Sequence, residues 1–176
     1  MSYRIDKNMS LAGCDYTAMT EEKVQDLFSS VLQEGMHGLC FSLYEDGQKP
    51  GDLITESQVR RRMEIIKPYT KWVRSFSCTD GNELVPMIAK EYGLKTLVGA
   101  WLGKDQEVNE RETKGLIELA KEGYVDIAAV GNEVMYRNDM SEEELLNYIS
   151  GGKKEITDSP VGYVDAYYEF STRPRI

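Results

Sequence analysis

The chain has 176 residues, 30 of them acidic against 21 basic, for a net charge of -9, a size that fits one domain with a substantial core. With 41% hydrophobic and 10% aromatic residues it can offset the entropy of ordering itself, which argues against a wholly disordered chain. The acidic balance, with no basic cluster longer than Arg60, Arg61 and Arg62, works against nucleic acid as a partner, because phosphate binding relies on cationic side chains that displace counterions.

Residues 1 to 19 are set apart as a segment of unassigned role, and residues 20 to 176 read as one domain. Val24, Leu27, Phe28, Val31 and Leu32 share one helical face, with Thr20 as cap, Gly35 as stop and a buried stripe expected. Met36 to Tyr44 is apolar almost throughout, as for a parallel strand covered on both faces. Thr55-Glu56-Ser57-Gln58 is a capping box that opens a helix with Val59, Met63 and Ile66 inward, ended by Pro68. Trp72 to Ser77 is the second strand. Asp80 or Asn82 starts a helix carrying Leu84, Val85, Ile88 and Ala89, closed by Gly93, and Lys95 to Leu102 is the third strand.

A charged helix from Gln106 turns Leu116, Leu119 and Ala120 inward and ends at Gly123; Val125 to Val130 is the fourth strand. Ser141-Glu142-Glu143-Glu144 is a further capping box, and Gly151-Gly152 are expected to stop its helix early. Val161 to Tyr167 is the fifth strand. Strand starts at 36, 72, 95, 125 and 161 recur about every 31 residues, close to the unit of a (β/α)8 barrel of ~250 residues. Alternation of this kind gives an α/β fold with a parallel sheet; the repeat favours a barrel, and with about five βα units the chain reads as an incomplete (β/α)8 barrel, an open sheet or a fragment.

Several chemistries are absent from the pattern. A single histidine, His37, excludes two-histidine metal sites. Cys14, Cys40 and Cys78 are odd in number and at no metal-ligand spacing, so reduced and mostly buried thiols are expected. Gly99-Ala100-Trp101-Leu102-Gly103-Lys104-Asp105 is one residue short of a P-loop and no G-x-G-x-x-G follows a strand, so no nucleotide, and no other cofactor, is expected. The start has no signal-peptide pattern and no window reaches the length of a membrane span, which leads to an expectation of a cytoplasmic chain with no membrane partner.

The strand C-termini gather carboxylates and aromatics: Tyr44-Glu45-Asp46, Ser77-Cys78-Thr79-Asp80, Trp101, Gly131-Asn132-Glu133 and Asp165 to Phe170. Aromatic faces pack on the C–H faces of sugar rings while carboxylates and amides bind hydroxyls, so this is read as a sugar-binding rim. Glu133 follows the very apolar Ile127-Ala128-Ala129-Val130, and is expected to be partly desolvated with its pKa raised, as a general acid requires. The alternative is a helix cap, or an ion pair with Arg137.

The run Asp126 to Arg137, with Val130-Gly131-Asn132-Glu133-Val134-Met135-Tyr136-Arg137 at its centre, resembles a segment of glycoside hydrolase family 17, which includes β-1,3-glucanases and transglycosylases. Val73 to Ser77, Leu97 to Leu102 and Tyr167 to Phe170 resemble that family's second, third and fifth strands in order. The resemblance implies a (β/α)8 barrel acting on β-linked glucan, with Glu133 as acid/base and Asn132 on the sugar 2-hydroxyl. It makes Tyr44, Trp101, Tyr136 and Tyr168 candidate sugar contacts and Arg74 a residue that positions the carboxylate. The strand that would carry the nucleophile has no counterpart here, and Asp46, Asp80, Asp165 and Glu169 do not match it, so a catalytically incomplete fragment or half-barrel is expected. A carbohydrate-binding or interaction module from the same barrel is the alternative. Five strands leave open edges, through which self-association is expected.

Overall fold

The structure, a computed structural model, describes residues 16–176. Helix α1 (Glu21–Glu34) leads into β1 (Met36–Cys40). There follow α2 (Glu56–Ile66), β2 (Thr70–Arg74), α3 (Leu84–Glu91), β3 (Lys95–Ala100), α4 (Gln106–Lys121), β4 (Ile127–Asn132), α5 (Glu142–Glu155), β5 (Val161–Val164) and the short α6 (Tyr167–Thr172). The strands are parallel and lie in the order β1-β2-β3-β4-β5. A doubly wound sheet reverses its strand order at a switch point, whereas this one advances by one strand per unit, as a barrel does.

The core lies between the sheet and the helices. Val73, Val98, Ala128 and Val130 face α2 to α5 and are buried. Arg74, Leu97 and Ile127 fall in one register row, stay half-buried, and line a cavity of about 250 Å³ with His37 and Trp72. Among the described residues β1 and β5 pair on one side only.

Helix starts follow the side chains that satisfy their free N–H groups. Thr20 accepts from the Lys23 N–H, Thr55 from Gln58, Asp105 from Val108 and Ser141 from Glu144, and Glu144 returns a bond to the Ser141 N–H. Near the bottom of the sheet, Asp126 takes bonds from the Thr96 N–H at 2.7 Å and Lys90 Nζ at 2.8 Å. Partial burial raises its pKa, but the Lys90 and Thr96 bonds outweigh that and hold the carboxyl below its usual range. A group depressed in the folded state stabilises it above the unfolded pKa of ~3.9 and loses that contribution as pH falls. Asp126→Asn should therefore cost on the order of 1 kcal/mol at pH 7, and the gap from the parent should close as a denaturant titration is repeated towards pH 3.

Several expectations need correcting. The apolar face of α1 is not buried: Phe28 is 61% exposed and Val24, Leu27 and Val31 are exposed with it. β1 stops at Cys40, with His37, Gly38 and Cys40 exposed at the sheet edge. Of the thiols, Cys78 is buried, and that burial pushes its pKa up; Cys40 is exposed, and Cys14 lies outside the described residues, as does most of the segment 1 to 19. α3 begins at Leu84 because Asp80 and Gly81 have φ of 55° and 90°, which no helix accommodates. Gly151 and Gly152 do not stop α5, since a Cβ at Gly152 would sit 3.1 Å from Val130 Cγ2, so the glycine lets the helix lie close on β4. Tyr167 to Phe170 form α6 rather than extending β5.

Candidate active site

At the end of β4 the chain leaves the sheet through an irregularity. The pairing with β5 shifts register between Ala129 and Asn132, Gly131 has φ 93° and Glu133 has φ 53°. Such bulges re-aim the side chains that follow them. A Cβ at Gly131 would come within 2.9 Å of Val134 Cγ2 and 3.2 Å of Tyr163 Cε2, so glycine is needed both for the left-handed φ and for the close approach. The Glu133 N–H donates to Val164 O at 2.8 Å, and Val134 and Met135 turn back into the core. Glu133 is thus left exposed between the half-buried Asn132 and the buried Val134. The desolvation expected from the apolar strand is not supplied within this chain, because the turn carries the carboxyl out of the sheet.

Asn132 is the last residue of β4 and Arg74 the last of β2. Arg74 Nη2 donates to Asn132 Oδ1 at 2.6 Å, which fixes the amide and leaves its Nδ2 pointed away from the guanidinium as a donor. Arg74 therefore positions Asn132 rather than Glu133. Its guanidinium also lies 4.5 Å from the Phe76 ring centroid. Arg137 does not pair with Glu133 either. It bonds Asp139 Oδ2 at 2.6 Å and Leu102 O at 2.8 Å, donates to Asn132 O, and stacks 4.4 Å from the Trp101 ring. Among the described residues the Glu133 carboxyl has no hydrogen-bond or ion-pair partner, so neither the cap nor the salt-bridge alternative applies.

Two carboxylates that sequence reasoning did not assign hold this rim in place. Asp165 Oδ2 accepts from the Met135 N–H at 3.1 Å, the Tyr136 N–H at 3.4 Å and the Tyr163 hydroxyl, and its Oδ1 accepts from the Ala166 N–H at 2.7 Å. Burial and that bond to Asp165 push the Tyr163 hydroxyl pKa up, so it stays a donor. Glu112, on α4, is 2% exposed. It accepts from Ser77 Oγ at 2.6 Å, the Cys78 N–H at 2.9 Å, the Trp101 N–H at 2.9 Å and the Thr79 hydroxyl. One carboxylate thereby ties the loops after β2 and β3 to a helix.

The expected aromatics fall into two groups. Tyr136 and Tyr168 meet edge to face, with centroids 6.3 Å apart, beside the Glu133 turn. Trp101, 40% exposed, and the half-buried Tyr44 lie on the β1 to β3 side. Tyr44 accepts from Asn82 Nδ2 at 3.3 Å and touches no residue of the Glu133 turn by hydrogen bond. Among the other rim acids, Glu169 is buried and paired with Arg173, and Asp80 lies 3.4 Å from Arg111. Among the described residues no three His, Cys, Asp or Glu side chains converge as a metal would require.

A parallel sheet whose strands advance one place per βα unit has the strand order of part of a (β/α)8 barrel. Residues 38–176 match the BtgE/BtgC glycoside hydrolase domain, and the chain belongs to that family. This bears out the resemblance to glycoside hydrolase family 17. A glucan 1,3-beta-glucosidase of Schizosaccharomyces pombe is 28% identical over 116 residues, covering 59% of this chain and 36% of the relative. The Saccharomyces cerevisiae glucan 1,3-beta-glucosidase is 25% identical over 112 residues, 61% of this chain and 36% of its own. An active-site mutant of Rhizomucor miehei beta-1,3-glucanosyltransferase, solved in complex with laminaritriose, superposes with a TM-score of 0.66 at 25% identity, covering 78% of this chain and 52% of that one. The chain thus spans about half the length of the solved relative and little over a third of the curated ones.

Proposed function

We propose that this chain forms the part of a β-1,3-glucan-active glycosidase or transglycosylase that supplies the general acid/base, Glu133, and the sugar-binding amide, Asn132. The observation that carries this reading is the exposed Glu133 carboxyl, without a partner among the described residues, set by a left-handed turn next to an amide that Arg74 has oriented. An acid/base must reach the glycosidic oxygen and a hydroxyl-binding amide must keep a donor free; the exposure of Glu133 and the Arg74 bond to Asn132 Oδ1 support these two roles. The names of the relatives and the laminaritriose in the solved neighbour support β-1,3-glucan as the substrate class. Tyr136 and Tyr168 beside the turn, and Tyr44 and Trp101 across the rim, would stack on its rings. The edges of β1 and β5, unpaired on one side among the described residues, support self-association of the 176-residue chain.

A second reading, binding without turnover, is favoured by one feature. Retaining hydrolysis needs a second carboxyl ~5 to 5.5 Å from the first, and Asp165 and Glu169 are both committed to other bonds. Calorimetric titration with laminaritriose tests the binding common to both. Trp101→Ala and Tyr168→Ala should each weaken it by about 1 kcal/mol through lost ring contact, and equal affinity in both variants would return these rings to a packing role. Chromatography of the products then separates the enzyme from the binding module, since hydrolysis and transfer both change oligosaccharide length and binding alone does not.

A further inference from the structure

One arginine brackets Glu133. The peptide group before that residue is held at both ends: the Asn132 carbonyl accepts from Arg137 Nη1, and the Glu133 N–H donates to Val164 O at 2.8 Å. The peptide group after it is held by Arg137 as well, whose own N–H donates to Glu133 O at 2.9 Å. The same guanidinium bonds Leu102 O through Nη2 at 2.8 Å and lies 4.4 Å from the Trp101 ring centroid. We propose that Arg137 is a positioning residue, which locks the backbone on either side of Glu133 in its left-handed turn and fixes that turn relative to the Trp101 ring. The geometry stands on this chain alone; its consequence for sugar binding rests on the glucan reading given above.

Charge and burial point to that role. Arg137 and Asp139 are both half-buried, and Arg137 Nε bonds Asp139 Oδ2 at 2.6 Å. The cation is thus matched within the turn, and each of its three nitrogens already has an acceptor. Such a group is spent on holding protein atoms rather than on meeting a ligand's charge. A planar fork fixed by three acceptors can keep two carbonyls and a ring at set separations, which an ammonium on a flexible stem does not.

The lock is built locally. Asn138 adopts φ 54°, a region that asparagine tolerates better than most residues. Its N–H donates to Met135 O and the Asp139 N–H to Val134 O, both at 3.1 Å. The chain thereby doubles back and lays the Asp139 carboxylate on the guanidinium two residues earlier. Glu133, at φ 53°, lacks the tolerance of asparagine, and backbone in a sparsely populated region persists only where its surroundings over-determine it. Arg137 supplies one bond to each peptide group that flanks Glu133. Trp101 is fixed from two directions, since Glu112 accepts from its N–H at 2.9 Å while Arg137 lies over its ring. The ring keeps enough exposed surface for a ligand, so the arginine sets its tilt without covering it.

Two measurements on the 176-residue chain test the proposal, the first with no sugar present. Backbone NMR couplings of Glu133 report the sign of φ. In Arg137→Lys and Arg137→Ala they should lose the single left-handed value of the parent, whereas retention of that value in both overturns the lock. Calorimetry with laminaritriose then reads the link to Trp101 as a double-mutant cycle. Arg137→Lys should weaken binding about fivefold in the parent and less than about twofold in Trp101→Ala, where the ring it positions is gone. Equal losses in both backgrounds, or unchanged affinity of Arg137→Lys in the parent, overturn the link. A residue that only added stability would lower the unfolding midpoint and leave both readouts as in the parent. Arg137→Lys keeps a cation beside Asp139, so it supplies folded protein if Arg137→Ala does not. A parent that does not bind laminaritriose overturns the glucan reading and the link to sugar binding, while the Glu133 couplings still decide the lock.

Discussion

In a barrel that carries both carboxyl groups of the mechanism, Glu133→Gln is expected to lower turnover of β-1,3-glucan by about 10²- to 10⁴-fold, the usual contribution of a positioned general acid/base. The amide matches the acid in shape, and the carboxyl it replaces is exposed and has no partner among the described residues. The unfolding midpoint should therefore stay where it is. Chromatography of the oligosaccharide products and a denaturant titration, run on the same preparation, check the two halves. Unchanged turnover would remove Glu133 from the chemistry, whereas a lowered midpoint would show that it holds the turn together.

The second large effect falls on stability. Glu112→Ala deletes the acceptor of four donors in a place that water reaches poorly, the residue being 2% exposed. Each buried donor left without a partner costs ~1 to 3 kcal/mol. Even with two of the four relaxing to solvent, a loss of about 3 kcal/mol or more is expected. Glu112→Gln should fall between variant and parent, because one acceptor oxygen survives while the new NH2 group faces hydrogen-bond donors. Urea titration of the three proteins orders them. If Glu112→Ala unfolds at the parent's midpoint, the loops after β2 and β3 are held by other means.

Much of the fold was legible because its punctuation is local. Thr20, Thr55 and Ser141 cap the helices they were expected to cap, and Gly93 and Gly123 follow helix ends with φ of 76° and 84°. What depended on long-range packing was not. The stripe on α1 has helical spacing, yet periodicity cannot say whether anything covers it. Gly151 and Gly152 read as a stop because the reason for Gly152, the approach of Val130, lies on another element. The end of β4 was placed too early because the bulge that carries Gly131 and Asn132 belongs to its pairing with β5.

The site divides in the same way. Asn132 and Glu133 stood out through a contiguous motif, whereas Glu112 acts through residues 33 to 35 positions before it and through Trp101. One signal was available: Asn109, Glu112, Leu116 and Leu119 are the buried residues of α4, and a carboxylate on an otherwise inward stripe marks a buried acceptor that must have donors. Asp165 was noted as a rim acid, but its bonds to the Met135 and Tyr136 N–H groups could not be read before the turn was seen.

The left-handed backbone of Glu133, φ 53°, sets two selective pressures against each other. Judged by conformation alone, Gly or Asn suits that position better than Glu. A library randomised at residue 133 and screened only for resistance to heat or protease should therefore drift toward Gly and Asn. The same library, placed in a barrel that carries both carboxyl groups and screened for action on glucan, should return Glu and little else on the acid/base reading proposed above. The distance between the two outcomes would measure how much folding stability this position gives up in exchange for its chemistry.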